Sequence, residues 1–410
     1  MCALGVVAAG LTASACGDDE PELTGAARVA VDMGLTEFLG RARISDQTER
    51  DGVTTWEFDP ESGPLCMRGR EFRMATRDVG SEDLLFFLQG GGACWPEFCL
   101  AVTAAPPGIP TGVDVLNPTL EANPFRDWNV AYLPYCDGSL FAGNRDHDDD
   151  EDGELDRFHR GLQNLSAGLD VARREFPSPR RVVLSGSSAG GFGTLIAAPL
   201  IRHVYPNADI FVLNDSGVGV AMGARDPGFV QRLVDQFNVE RFFPADCPEC
   251  LESGHITGLV DWYMGLDDNI RFGMFTSWYD GIIAGTFLQI PRAEFRDSID
   301  TETGRTHEAF PDRYRRFIVD GQMHTTLLGN PIGIIGSDLT SVELPPNSGS
   351  LLGNLALGSL RTTAIGDLTL SEWIVGMLEG DDAVWVDIQE EPGTPPDEPE
   401  DEGPGDEDPT

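Results

Sequence analysis

The 410 residues carry a formal net charge of −40 with 41% hydrophobic side chains, and all 28 basic residues are arginine. That charge excludes nucleic acid and anionic membrane surfaces as partners, and it disfavours acidic polymers over neutral or acylated substrates. The hydrophobic fraction suffices for one large core or two modest ones, and no internal repeat is present.

The chain opens on an apolar, small-residue stretch, Ala3–Ala15, that ends Ala13-Ser14-Ala15-Cys16 and runs into Gly17-Asp18-Asp19-Glu20. This is the pattern of a bacterial lipoprotein signal, with residues 1–15 cleaved and Cys16 lipidated; it is too short for a spanning helix. No basic residue precedes the stretch and Ala13 stands where leucine is commoner, so ordinary secretion is the competing reading. Either route puts the protein outside the cytoplasm, at the cell envelope or secreted, touching membrane only through a lipid anchor. Residues 16–50 read as a leader and N-terminal segment, and 51–388 as one folded domain. Residues 389–410 read as a disordered acidic tail, because Glu390–Asp408 is a Pro/Gly/Asp/Glu tract that cannot build a core.

Leu84–Leu88 is the first buried strand, and Gln89-Gly90-Gly91-Gly92-Ala93-Cys94-Trp95 follows it. Consecutive glycines present backbone amides rather than side chains to whatever lies opposite; a tight turn before a bridged loop is the competing reading. Trp128–Leu133 is a second strand. In the acid run, Asp148, Asp150, Asp152 and Gly153 fit D-x-D-x-D-G with Asp156 ninth, the first half of a calcium loop, but His159 stands twelfth where a bidentate Glu belongs. A structural calcium and a solvated acidic loop both stay open. A helical pattern spans His159–Phe176. Arg181–Leu184 then runs into Gly186-Ser187-Ser188-Ala189-Gly190, and a helix continues through Thr194–His203. A G-x-S-x-G between strand and helix is the context of a nucleophile elbow, in which Ser188 sits on a strained turn with its hydroxyl exposed. The helix N-terminus there favours a developing negative charge.

Further strands are Ile210–Leu213, Phe272–Phe275 and Phe317–Val319, with 218–270 forming a lid or side wall. Thr369-Leu370-Ser371-Glu372 is a capping box opening a helix through Leu378. Alternating strands and helices predict an α/β fold, a mostly parallel central sheet with helices on both faces, and no second domain.

Six cysteines remain once Cys2 and Cys16 are set aside, an even number that reads as disulfides in an exported chain. Cys94 and Cys99 flank the glycine loop, Cys247 and Cys250 form a local pair, and Cys66 is left for Cys136. Zinc is the competing reading of C-x-x-C, but no second motif completes a site.

A serine nucleophile needs a base. His324 lies on the loop after the last long strand, where the alpha/beta-hydrolase fold carries its histidine; the other five histidines fall in helical, acidic or polar stretches. Asp215, Asp280 and Asp320 compete for the acid. The chain order Ser, acid, His selects Asp280, after the penultimate strand, and leaves Asp215 to brace the elbow and Asp320 to fix the histidine loop.

Leu88–Trp95 (LQGGGACW), Asn123–Ser139 (NPFRDWNVAYLPYCDGS), Ser185–Thr194 (SGSSAGGFGT) and Leu213–Gly217 (LNDSG) together resemble the pectin acetylesterase family, and the Notum carboxylesterases show a similar pattern. The resemblance runs from about Asp51 to about Leu328. It implies an alpha/beta-hydrolase and a serine esterase of O-acyl esters, often acetyl groups on polysaccharide such as pectin, and it matches Asp280 to the family's acid position.

The combined expectation is an exported, monomeric esterase acting on an acylated carbohydrate or other ester. Ser188 attacks, His324 is the base, Asp280 orients it, and amides of Gly91, Gly92 and Ala189 bind the oxyanion, with no cofactor required for catalysis. Trp95 and Phe98 beside that loop are candidates for the acyl wall, or ordinary core aromatics. The alternatives are a lipase-like esterase of longer acyl chains and a catalytically inactive surface carbohydrate-binding protein.

Overall fold

The computed structural model describes residues 23–330, 339–345 and 356–396. The signal stretch 1–15, Cys16 and residues 397–410 of the tail lie outside them.

A ten-stranded sheet organises the chain. Its strands follow the order 44–50, 53–58, 73–77, 129–133, 83–88, 181–187, 209–215, 270–277, 314–319 and 388–389. From 129–133 onward every neighbouring pair is parallel, and the first three strands form an antiparallel edge. The six sequence-read strands are all present. They read clearly because parallel strands are covered on both sides and so appear as unbroken apolar runs. Successive residues serve opposite faces: Leu84, Phe86 and Leu88 join one core while Leu85 and Phe87 join the other. Each such side chain withdrawn from water contributes about 1.5–3 kcal/mol.

Helices Gly161–Glu175, Ala189–Val204 and Arg292–Ala309 pack into the first core, and helix Leu370–Glu379 into the second through Trp373, Ile374 and Met377. The last begins with the capping box read from sequence, Thr369 and Glu372 bonding each other's backbone. Helix Gly161–Glu175 starts two residues later than expected, because His159 closes the short strand Arg157–His159. The segment 218–270 folds as helices Phe229–Phe237, Glu249–Glu252 and Gly258–Leu266.

Two sequence boundaries shift. Residues 23–50 are not merely a leader: helix Ala26–Asp32 packs on helix Ala189–Val204, and Ile44–Arg50 is the edge strand of the main sheet. At the other end, 389 is not where structure stops, since Gln389 pairs with Ile318 and Glu390 and Gly393 are hydrogen-bonded to the body. The six cysteines form the expected bridges, Cys66–Cys136, Cys94–Cys99 and Cys247–Cys250. No helix among the described residues is long and apolar enough to cross a membrane.

Candidate active site

Ser188 stands between strand Arg181–Ser187 and helix Ala189–Val204 with φ 56° and ψ −120°. That is a left-handed backbone rarely tolerated by a residue with a Cβ, and it persists only where the surroundings impose it. The flanking glycines are sterically required. A Cβ on Gly186 would lie 2.2 Å from Gly190 O, and one on Gly190 would lie 2.0 Å from Leu88 O. The turn is held by Ser188 N donating to Asp215 O at 2.8 Å. Asn214 fastens the helix start, its amide nitrogen donating to Gly191 O and Thr194 Oγ1.

His324 and Asp280 arrive from loops after the strands 314–319 and 270–277. Both are buried, and His324 Nδ1 lies 2.8 Å from Asp280 Oδ2. The other carboxylate oxygen, Oδ1, accepts the amides of Ile282 and Ile283 at 2.9 Å each. Those bonds aim the other oxygen of Asp280 at the imidazole. His324 Nε2 is buried and has no hydrogen-bond partner among the described residues. A buried, unpaired ring nitrogen is costly unless a reacting group completes it. Of the other histidines, His159, His203 and His307 direct Nδ1 to main-chain carbonyls, His255 accepts Ala221 N, and His147 faces Gln236.

Asp215 joins the serine turn to the histidine loop. It receives Ser187 Oγ at 2.6 Å, Thr326 N at 3.0 Å and Leu327 N at 3.0 Å, while neighbouring Ser216 Oγ receives Thr325 N at 3.0 Å. Burial raises its pKa to about 6 against the opposing pull of these donors. Ser216 and Thr325 also carry positive φ, so backbone strain gathers around this junction. The adjacent Ser187 has its hydroxyl engaged, donating to Asp215. Asp320 lies farther out, its Oδ1 accepting Gly393 N.

The glycine loop closes the other side. A Cβ on Gly90 would meet Ser187 O at 2.8 Å, and one on Gly91 would sit 2.4 Å from the Tyr135 ring. Gly92 has φ +86°, and a Cβ there would overlap Leu100 O. Gln89 Oε1 accepts Tyr132 Oη at 2.8 Å and Tyr135 N at 3.2 Å at the loop entrance. The Cys94–Cys99 bridge staples strand Gly92–Trp95 to strand Phe98–Val102.

Gly91 packs on the Tyr135 ring, whereas Gly92, Ser188 and Ala189 line one cavity of about 120 Å³. Its wall is otherwise almost wholly apolar, supplied by Trp95, Phe192, Phe229, Phe242 and Phe287 among others. Trp95 faces the cavity; Phe98 stands behind it, 5.1 Å away centroid to centroid. In the acid run, Asp148, Asp150 and Asp156 bring carboxylate oxygens within 4.8 Å of one another, but Asp152 turns its carboxylate to Glu154 N. The amides of Asp152 and Gly153 already close this loop on Asp148.

Residues 66–237 match the family model described as Pectinacetylesterase. Over those residues the chain resembles pectinacetylesterases and Notum carboxylesterases. Pectin acetylesterase 4 of Arabidopsis thaliana is 31% identical over 172 residues, 38% of this chain and 41% of that protein. The palmitoleoyl-protein carboxylesterase notum2 of Xenopus laevis is 31% identical over 129 residues, 28% of this chain and 26% of that one. The chain thus spans less than half the length of these relatives. A solved structure of the Wnt deacylase Notum from Drosophila superposes with a TM-score of 0.56 at 15% identity, covering 83% of this chain and 95% of that one; at that identity the likeness is one of fold, alpha/beta-hydrolase.

Sequence reasoning missed Asn214, Ser216 and Gln89, which hold the serine turn, the histidine loop and the glycine loop. The cavity wall draws on the 218–270 segment and on Trp95, both read from sequence as wall candidates, and is completed by Leu140, Phe192, Ile196 and Phe287, which the sequence did not single out.

Proposed function

We propose that this protein is a serine carboxylesterase whose acyl-binding side takes a hydrocarbon chain longer than acetyl. The observation that carries the reading is the apolar cavity opening at Ser188 and Ala189. Ser188 Oγ attacks the ester carbonyl carbon as His324 Nε2 takes its proton, and the amides of Gly91, Gly92 and Ala189 receive the oxyanion. Collapse expels the alcohol, which takes the proton from the imidazolium and leaves an acyl-serine. Water then repeats the sequence and releases the carboxylic acid. Asp280 holds the imidazole and balances its charge in both halves.

Acetyl removal from a polysaccharide is the second reading, favoured by the family's description and by the 31% likeness to a pectin acetylesterase. The acyl part separates them. In a p-nitrophenyl series from acetate to palmitate, the first reading expects kcat/KM to rise beyond butyrate, and a maximum at acetate would favour the second. No hydrolysis of any member, with the fold intact, would point to a binding protein.

We infer an extracytoplasmic location, in keeping with three disulfides. A detergent-phase partition lost in Cys16→Ser would establish the anchor.

A further inference from the structure

The C-terminal segment Ile388–Gly393 lies across the backs of both loops that carry the acid and the base. It enters as a strand, Ile388 beside Phe317 and Gln389 beside Ile318, with Glu390 N donating to Ile318 O at 2.9 Å. Its root is fastened by Asp387 on Arg316 at 2.8 Å and by Trp373 Nε1 donating to Val386 O at 2.7 Å. From there it grips each loop in turn. On the acid side, Trp278 Nε1 donates to Glu390 O at 2.7 Å and Tyr279 Oη donates to Gly393 O, the two residues immediately before Asp280. On the base side, Asp320 N donates to Glu390 Oε2 at 2.7 Å and Gly393 N donates to Asp320 Oδ1 at 2.9 Å, at the start of the loop that ends in His324. The loops are themselves laced together, Tyr279 N to Gly321 O and Gly281 N to Gln322 O at 3.0 Å each.

We propose that this strap is a positioning element for the reaction: it fixes the Asp280 carboxylate against His324 by clamping the two loops as one unit. Asp280 and His324 are 44 residues apart and meet in a single hydrogen bond, so their separation is set by the loops' relative placement. A misplacement of about 1 Å there costs roughly 10²-fold in rate. Gly393 is suited to the role, because a Cβ there would stand 2.8 Å from the Asp320 carboxylate. None of the strap residues lines the cavity, so the effect falls on turnover and not on binding. The inference rests on the triad reading above.

The test compares three proteins on p-nitrophenyl butyrate: a chain ending at Asp387, the full chain with Tyr279→Phe and Asp320→Ala, and a chain ending at Pro396. The first two are expected to lose about 10- to 100-fold in kcat at unchanged KM. Tyr279→Phe with Asp320→Asn, which keeps an acceptor for Gly393 N, should recover most of the Asp320 contribution, and the chain ending at Pro396 should match the full protein. Wild-type kcat in the double variant would overturn the proposal, and that variant decides alone if the shortened chain fails to fold. Asp280→Asn is measured alongside: if it stays active, the triad reading has failed, whereas an inactive Asp280→Asn beside wild-type strap variants sinks the strap only.

Discussion

Ser188 has two dissimilar sides. Behind its turn, which Ser188 N ties to Asp215 O, Asp215, Asp280 and His324 form a buried polar cluster with hydrogen bonds of 2.6–3.1 Å, in which His324 Nε2 stays unpaired. Toward the cavity Ser188 faces aromatic and aliphatic side chains from several separate stretches, with contact but little direction. The contrast separates chemistry from choice of substrate. Buried polar geometry must be nearly complete to exist at all, so single changes there should be severe. An apolar wall distributes its effect over many side chains, so single changes there should be graded.

The largest expected effect is on the polar side. Ser188→Ala should retain the fold and lose at least ~10³-fold in turnover, the scale of triad removal; steady-state kinetics with a circular dichroism control measures it. Asp280→Asn should lower kcat by about 10²–10⁴-fold with little change in thermal midpoint. Asp215→Asn should do the reverse, costing about 1–3 kcal/mol of stability, because an amide nitrogen would face the Thr326 and Leu327 donors. Loss of turnover without loss of stability in Asp215→Asn would exchange the two roles.

On the apolar side the effects shrink. Phe242, Ile196 and Leu259 line both the main cavity and a smaller one reaching Met33. Phe242→Ala should join the two and move the preferred acyl length upward, each pocket methylene being worth about 1–3 kcal/mol. Trp95→Ala should also shift preference toward longer chains; an acyl profile unchanged by both would mean the acyl group binds elsewhere.

The smallest effect lies outside both sides. Burial lowers the His159 pKa to about 3, below its value in the unfolded chain of about 6.5. As pH falls below that unfolded value, the unfolded chain takes up the proton first. Stability is therefore lost as pH drops from about 6.5 toward 3. Asp137 and Asp215, raised to about 6, act oppositely, losing stability as pH rises from about 4 to 6. His159→Gln should therefore flatten the acid side of a thermal-midpoint profile, and an unchanged slope would contradict the account.

What the sequence made legible follows the same division. Strands such as Leu84–Leu88 were readable because burial on both faces leaves unbroken apolar runs, and G-x-S-x-G because its glycines answer specific backbone collisions. Chain order had paired Asp280 with His324, two residues that are hydrogen-bonded in the fold. The antiparallel edge was not: Ile44–Arg50 reads ISDQTER, with six of its seven residues exposed and no apolar alternation. The strap was hidden in a Pro/Glu-rich stretch whose contacts are mainly backbone carbonyls and amides. The 218–270 wall and Trp95 were readable, but Phe192 and Phe287 share no local pattern with them and escaped.

The most direct test of the central claim is to quench the enzyme during turnover of p-nitrophenyl octanoate and map the acylated residue by mass spectrometry. One equivalent of octanoyl on Ser188, absent in Ser188→Ala, is the predicted result. Octanoyl on Ser187, or steady hydrolysis that persists in Ser188→Ala, would contradict it.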